Sequence, residues 1–193
     1  MARGNSGQLR IIGGQWRGRK VPVPTAEGLR PTGDRIRETL FNWLAAQIPD
    51  AHCLDLFAGT GALGLEALSR GAAHCAFVEI ASRPAAALEG SIRTLNAESR
   101  CEILRCSAEE ALNRLRNDTP DRSFHVAFLD PPFEKELLSP ALEQLCDSGI
   151  LTHDAVIYVE CSMRETLAVP SGWTERRQKR SGEVAYGLLE RSA

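Results

Sequence analysis

Between residues 52 and 160 the chain alternates short apolar runs with segments of helical period, and no other feature restricts its fold as strongly. Strand candidates fall at residues 52–57, 74–80, 101–106, 124–130 and 155–160. Helix candidates lie between them at 62–69, 84–96, 108–115 and 137–146. Parallel strands need a long crossover, usually a helix, so this order predicts an α/β fold with a parallel sheet and helices on both faces. In such sheets ligands bind beyond the carboxyl ends of the strands, where the strand order reverses.

The flanking segments add smaller elements. Residues 173–180 and 183–190 surround Ser181-Gly182 and read as a terminal antiparallel hairpin. Residues 35–47 carry an apolar stripe of Ile36, Leu40, Phe41, Trp43 and Leu44, with cap candidates in Thr32-Gly33-Asp34 and a stop at Pro49. Upstream, residues 9–12 and 19–23 are separated by Gly13-Gly14 and Gly18 and read as a β-hairpin extension spanning 9–33. Residues 1–8 lack periodicity and are expected to form a flexible basic arm. The remaining 34–193 are then the main domain.

Length and composition close off several classes. A chain of 193 residues with 43% hydrophobic and 25% charged residues suits one globular domain. Its longest apolar run, 155–159, is far short of the roughly 20 residues a membrane helix needs. No apolar leader follows the basic start, so a cytoplasmic location is expected. Cys53, Cys75, Cys101, Cys106, Cys146 and Cys161 are dispersed without a C-x-x-C pair and read as free thiols. His52, His74, His125 and His153 stand alone in the sequence, and no metal is expected.

Charge is divided unevenly. Residues 1–37 hold eight Arg or Lys against Glu27 and Asp34, a net +6, which leaves −8 for the rest of a chain whose total is −2. A basic arm on an acidic body suits contact with nucleic-acid phosphates. The candidates are Arg10, Arg17, Arg19, Lys20, Arg30 and Arg35.

Two motifs carry chemistry. The first strand candidate runs into Asp55-Leu56-Phe57-Ala58-Gly59-Thr60-Gly61-Ala62-Leu63-Gly64, a G-x-G-x-x-G turn, and Glu79 stands 20 residues beyond Gly59 where ribose hydroxyls would be held. A dinucleotide and S-adenosylmethionine both fit such a loop. Asp55 favours the second, because a carboxylate there repels a pyrophosphate and attracts a cationic ammonium and sulfonium. The other motif, Asp130-Pro131-Pro132-Phe133, follows the fourth strand candidate of that series. Its Asp130 carboxylate and Pro131 carbonyl are suited to accept the two hydrogens of an exocyclic amine, while Phe133 stacks on the base.

At these residues the sequence resembles the class I S-adenosylmethionine-dependent methyltransferases, and within them the bacterial RsmD family, which methylates N2 of a guanine in 16S ribosomal RNA. The resemblance covers residues 10–20, Leu29-Arg30-Pro31-Thr32, Asp34-Arg35, residues 37–44, the Asp55 loop, Asp130 to Phe133 and Ile157-Tyr158-Val159-Glu160. It implies a Rossmann-like fold with a seven-stranded, mostly parallel sheet, and guanine(966)-N2 methylation of 16S rRNA in the 30S subunit or its assembly intermediate, by a monomer. It further implies that Asp55, Phe57, Ala58, Gly59 and Gly61 line the methionine end of the cofactor. Glu79 with Ile80 takes the ribose side, Ser107 and Ala108 the adenine edge, and Asp130, Pro131 and Phe133 the guanine. Family members usually carry Asp where Ala81 stands here, two positions after Glu79, which bears on the adenosine contacts. Arg35, Arg37 and Glu38 either border the mouth of the site or form a solvated helix face.

Competing functions follow from the same residues. An adenine-N6 DNA methyltransferase would use a similar D-P-P-[FY] motif, though the chain leaves no length for a further target-recognition domain. A nicotinamide-dependent oxidoreductase lacks an evident proton relay and is opposed by Asp55. A non-catalytic ribosome-assembly factor would keep the fold and need not bind a methyl donor.

Overall fold

The computed structural model describes residues 7–23, 33–118, 123–132, 136–165 and 167–192. The main sheet contains β3 (His52–Asp55), β4 (His74–Val78), β5 (Cys101–Leu104), β6 (Phe124–Leu129), β7 (Leu151–Ser162), β8 (Trp173–Ser181) and β9 (Val184–Arg191). Their order across the sheet is β5-β4-β3-β6-β7-β9-β8. The first five strands run parallel, β9 is antiparallel to β7, and β8 is antiparallel to β9. Two further strands, β1 (Gly7–Arg10) and β2 (Lys20–Val23), form a separate antiparallel hairpin.

The strand order reverses between β3 and β6. From β3 the chain moves outward through β4 and β5, then returns to the middle and moves the other way through β6 and β7. The carboxyl ends of β3 and β6 therefore diverge in connection while remaining hydrogen-bonded neighbours, with Asp55 opposite Phe128. This is the crevice where ligands of open parallel sheets bind.

Alternation along the strands sorts the core into two layers. Cys53, Phe77, Val126, Phe128, Tyr158 and Leu188 face one side, where α1 (Asp34–Trp43), α2 (Ala62–Ser69) and α3 (Ser82–Leu95) cover them. Leu54, Val78, Ala127, Leu129 and Val159 face the other, under α4 (Ala108–Asp118) and α5 (Leu138–Asp147). The hairpin joins the first layer through buried Leu9, Ile11, Trp16, Val21 and Val23.

A buried ionic cluster locks that hairpin to the helices. Glu66 on α2 is inaccessible to solvent and accepts the Ile12 and Gly13 amides, each at 2.8 Å, and Arg70 Nε at 2.8 Å. Arg37 on α1 is equally buried, donating to Glu66 at 3.3 Å, to the Arg10 carbonyl at 2.9 Å and to Asp34 at 2.6 Å. Arg37 therefore neither borders the mouth of the site nor lies on a solvated face. Isolated charges at this depth are very costly, and the reciprocal hydrogen bonds are what make the cluster tolerable.

Several boundaries differ from those expected. The helix at 84–96 starts at Ser82, because Pro84 in the first turn needs no amide donor. The helix at 35–47 ends at Trp43 and continues as tighter turns, with the Gln47 amide bonded to the Leu44 carbonyl. Strand β7 begins at Leu151, four residues early, since exposed His153 and Asp154 interrupt the apolar pattern beside a register irregularity against β6. Three histidines far apart in sequence share the amino edge of the sheet: the His52 ring centroid lies about 6 Å from those of His74 and His125, and the His52 amide donates to His125 Nδ1 at 3.1 Å.

Candidate active site at the carboxyl ends of the strands

The Gly-rich turn is built by backbone hydrogen bonds to both neighbouring strands. Leu56 donates to the Phe128 carbonyl of β6, and Ala58 to the Val78 carbonyl of β4. Gly59 and Gly61 adopt φ of 55° and 83°, a region that side chains strongly disfavour. A Cβ on Gly61 would also stand 2.4 Å from the Leu88 side chain. Gly64 allows α2 to lie directly on the sheet, because a Cβ there would meet Phe77 at 2.2 Å and the Cys75 sulfur at 2.7 Å.

Acidic groups brace this turn. Asp55 is 2% exposed, and its Oδ2 accepts the Gly64 amide at 3.0 Å. Burial, reinforced by the charges of Asp130 and Glu79, pushes its pKa up to about 7 despite that hydrogen bond. Such a carboxyl is ready for a cation: an ammonium or sulfonium nearby would restore its charge. Glu79 accepts the Gly59 amide at 2.8 Å and the Ala81 amide at 2.6 Å, so it ties the turn to the end of β4. Each of its oxygens retains a second lone pair for a hydroxyl. Ala81 keeps the backbone donor of this contact although it lacks the usual carboxylate.

Ile80 beside it is 70% exposed. Phe57 is half-buried and Ala58 is 7% exposed. Ser107 is half-buried and caps α4 by accepting the Glu110 amide at 3.2 Å, and Ala108 opens that helix. These residues follow the carboxyl ends of β3, β4 and β5, and the carboxyl groups of Asp55 and Glu79 are the chemistry that the cationic end and the ribose of S-adenosylmethionine call for.

Asp130 follows β6 and is half-buried, with Pro131 buried and Pro132 exposed after it. Phe133 and Arg30 lie outside the described residues. Beside Asp130 stands a group to which no role was attached from the sequence, Glu160. Leu129 pairs with Val159, so the next residues along the two strands are Asp130 and Glu160. Glu160 is 4% exposed and accepts the Tyr158 hydroxyl at 2.7 Å. Burial and the Asp130 charge push its pKa up to about 8, and the same surroundings hold the Tyr158 hydroxyl protonated. A buried acid two residues after a buried tyrosine at a strand end was the available signal.

The expected RNA contacts sit elsewhere. The closed end of the β1–β2 hairpin rests on the carboxyl end of α2, where Ser69 bonds the Trp16 amide and the Gly13 carbonyl. That end of α2 leads into β4 and so lies toward the amino edge of the sheet. Arg19 donates to the Thr94 carbonyl near the end of α3 at 2.7 Å, and Arg10 pairs with Asp34 at 3.3 Å. Arg17, Lys20 and Arg35 are exposed.

Comparison with known proteins supplies the family. The sequence profile described as Conserved hypothetical protein 95 matches residues 9–190. The Escherichia coli (strain K12) protein named ribosomal RNA small subunit methyltransferase D is 49% identical over 189 residues, covering 97% of this chain and 92% of that one. The chain belongs to the RsmD methyltransferase family. The Haemophilus influenzae member is 44% identical over 185 residues, with 95% and 94% coverage. Among solved structures, the Escherichia coli yhhF chain superposes on this RsmD family member with a TM-score of 0.84 at 44% identity, covering 96% and 98% of the two chains. SMU.776, solved as a complex with SAH, shares the fold at 13% identity and a TM-score of 0.75, over 98% of this chain and 56% of its own.

Proposed function

We propose that this RsmD family member transfers a methyl group from S-adenosylmethionine to the exocyclic N2 of a guanine in 16S rRNA, at position 966, within the 30S subunit or an assembly intermediate. It would do so as a monomer in the cytoplasm. The observation that carries the reading is the meeting of the Asp55 turn and Asp130 on adjacent strands at the reversal of strand order.

When bound, the methyl donor supplies an electrophilic carbon on a positively charged sulfur. The chain's own residues prepare the nucleophile. Guanine N2 is a poor nucleophile because its lone pair is delocalised into the ring. Accepting its two hydrogens at the Asp130 carboxylate and the Pro131 carbonyl would localise that pair and aim it. A nitrogen–carbon bond then forms while the carbon–sulfur bond breaks, the electron pair staying on sulfur. The surplus N2 proton passes to Asp130 or to water. Asp55 and the glycine turn would hold the methionine end, and Glu79 the ribose hydroxyls. The target base must leave its stack to reach this edge.

Labelled methyl transfer to 30S particles lacking the modification, with wild type beside Asp130→Ala, tests the reading. N2-methylguanosine formed by wild type and lost in the variant supports it. A different methylated nucleoside, or no transfer while the donor still binds, refutes it.

A further inference from the structure

Strand β8 forms one edge of the seven-stranded sheet, and residues 174–180 on it are all exposed. It carries Arg176, Arg177, Lys179 and Arg180 against the single acid Glu175, in a part of the chain that is otherwise net acidic. Cations on an edge strand often serve only to prevent pairing with another sheet. Three observations give this strand more to do.

The first is its register. Ser162 at the end of β7 pairs with Val184, and Val184 pairs with Ser181, so β8 ends at the same edge of the sheet as Asp130. Glu160 pairs with Tyr186 and Tyr186 with Lys179, which sets Lys179 in one row with Asp130. Three strand spacings of about 4.8 Å separate them by roughly 14 Å.

The second is orientation. Phe128, Tyr158 and Tyr186 lie in the apolar layer beneath α1, and Asp130 and Glu160 follow the first two by two residues, so all share that side. Lys179 Nζ stands 5.9 Å over the Trp43 ring of α1, which stacks on Tyr186 at 5.6 Å. The ammonium is thus held toward the side that Asp130 faces.

The third is charge. Glu79 and Asp130 make the catalytic edge acidic, which repels a polyanion, and Asp55 and Glu160 add to that charge only as pH rises through about 7 and 8. The hairpin cations Arg17 and Arg19 lie toward the opposite edge. Among the described residues Arg177, Lys179 and Arg180 form no salt bridge, and Arg176 alone of the four pairs with an acid, Glu190, at 3.5 Å. Arg177 and Lys179, two residues apart along the strand, are separated by about 7 Å, a step comparable with that between neighbouring phosphates.

We propose that β8 is a second RNA-binding element, in which Arg177 and Lys179, on the side that Asp130 faces, hold phosphates flanking the guanine presented to Asp130, and Arg180, which projects to the opposite side at the strand end, holds a phosphate farther along the RNA. This rests on the reading that RNA is the substrate. Phosphate contacts of this kind position the nucleic acid without reading its sequence.

The test is binding of an unmodified 16S rRNA fragment over a salt series, measured independently of methyl transfer, for wild type and for Arg177→Gln/Lys179→Gln/Arg180→Gln. Each lost phosphate contact lowers the slope of log affinity against log salt by about 0.7–0.9. The triple variant is expected to bind at least tenfold more weakly, with the slope reduced by about 2 and the RNA KM raised at unchanged kcat. Melting temperature and donor affinity measured by calorimetry should stay at wild-type values. Arg114→Gln/Arg116→Gln on α4, on the other face of the sheet, should bind RNA normally. Wild-type affinity and slope in the triple variant, an equal loss in the α4 variant, or no RNA binding by wild type would each overturn the proposal. Self-association of the triple variant at unchanged RNA affinity would instead assign the cations to edge protection and also overturn it. Failure of methyl transfer with these binding results intact would sink the proposed reaction and leave β8 as an RNA contact.

Discussion

Asp55 and Glu160 are carboxyl groups withheld from water, and both hold a proton at pH values where an exposed acid has lost it. The folded pKa values lie above the unfolded ones, so the folded state binds more protons between about pH 4 and 8. Their contribution to stability is full below the unfolded pKa and is lost as pH rises through about 7 for Asp55 and about 8 for Glu160. Denaturant titrations should show wild-type stability declining across that window, and Asp55→Asn or Glu160→Gln should each flatten the decline. Asp55 also carries a functional expectation. If it meets the cationic end of the methyl donor, affinity measured by calorimetry should rise with pH through about 7 in wild type and stay level in Asp55→Asn. The identity of Asp55, Glu79 and Asp130 as candidates was legible from their places after short apolar runs. Glu160 carried no assigned role, because only its strand neighbour reveals that a second acid stands beside Asp130.

Helix α2 is the element on which the site depends most. Its amino end carries the glycine turn, its face lies on Phe77 and Cys75, and its Glu66 holds the hairpin and α1. Replacing Gly64 by Ala forces a methyl into 2.2 Å contact with Phe77, and overpacking of this kind costs roughly 1–3 kcal/mol. Thermal melts should register that loss together with weaker donor binding, since the helix cannot lift without moving Gly61. Glu66→Ala leaves the buried Arg37 guanidinium with Asp34, an exposed carboxylate, in place of the buried one, and the Ile12 and Gly13 amides without their acceptor. Breaking a buried pair typically costs about 3–5 kcal/mol, and proteolysis should then reach the hairpin first. Most elements were legible from periodicity, including α2, whose bounds match the expected ones. The ion cluster was not, because residues 12, 37 and 66 are brought together only by folding.

At the scale of the molecule, an acidic catalytic edge lies beside the basic strand β8, with hairpin cations toward the opposite edge. RNA affinity should therefore fall steeply with added salt, whereas donor affinity, set within a partly buried pocket, should change little. Parallel titrations of the two ligands check this expectation. The sequence alone established the α/β order, the glycine turn, the D-P-P motif and the uneven charge, because each is a pattern among residues close in the chain. Local sterics and a few neighbouring side chains are enough to specify a turn or a periodic face. Tertiary structure decided which strand ends adjoin, how Arg37 and Glu66 neutralise one another, and that β8 ends level with Asp130. Those outcomes depend on register and burial between distant segments, where the energy of a charge is set by partners that no local window contains.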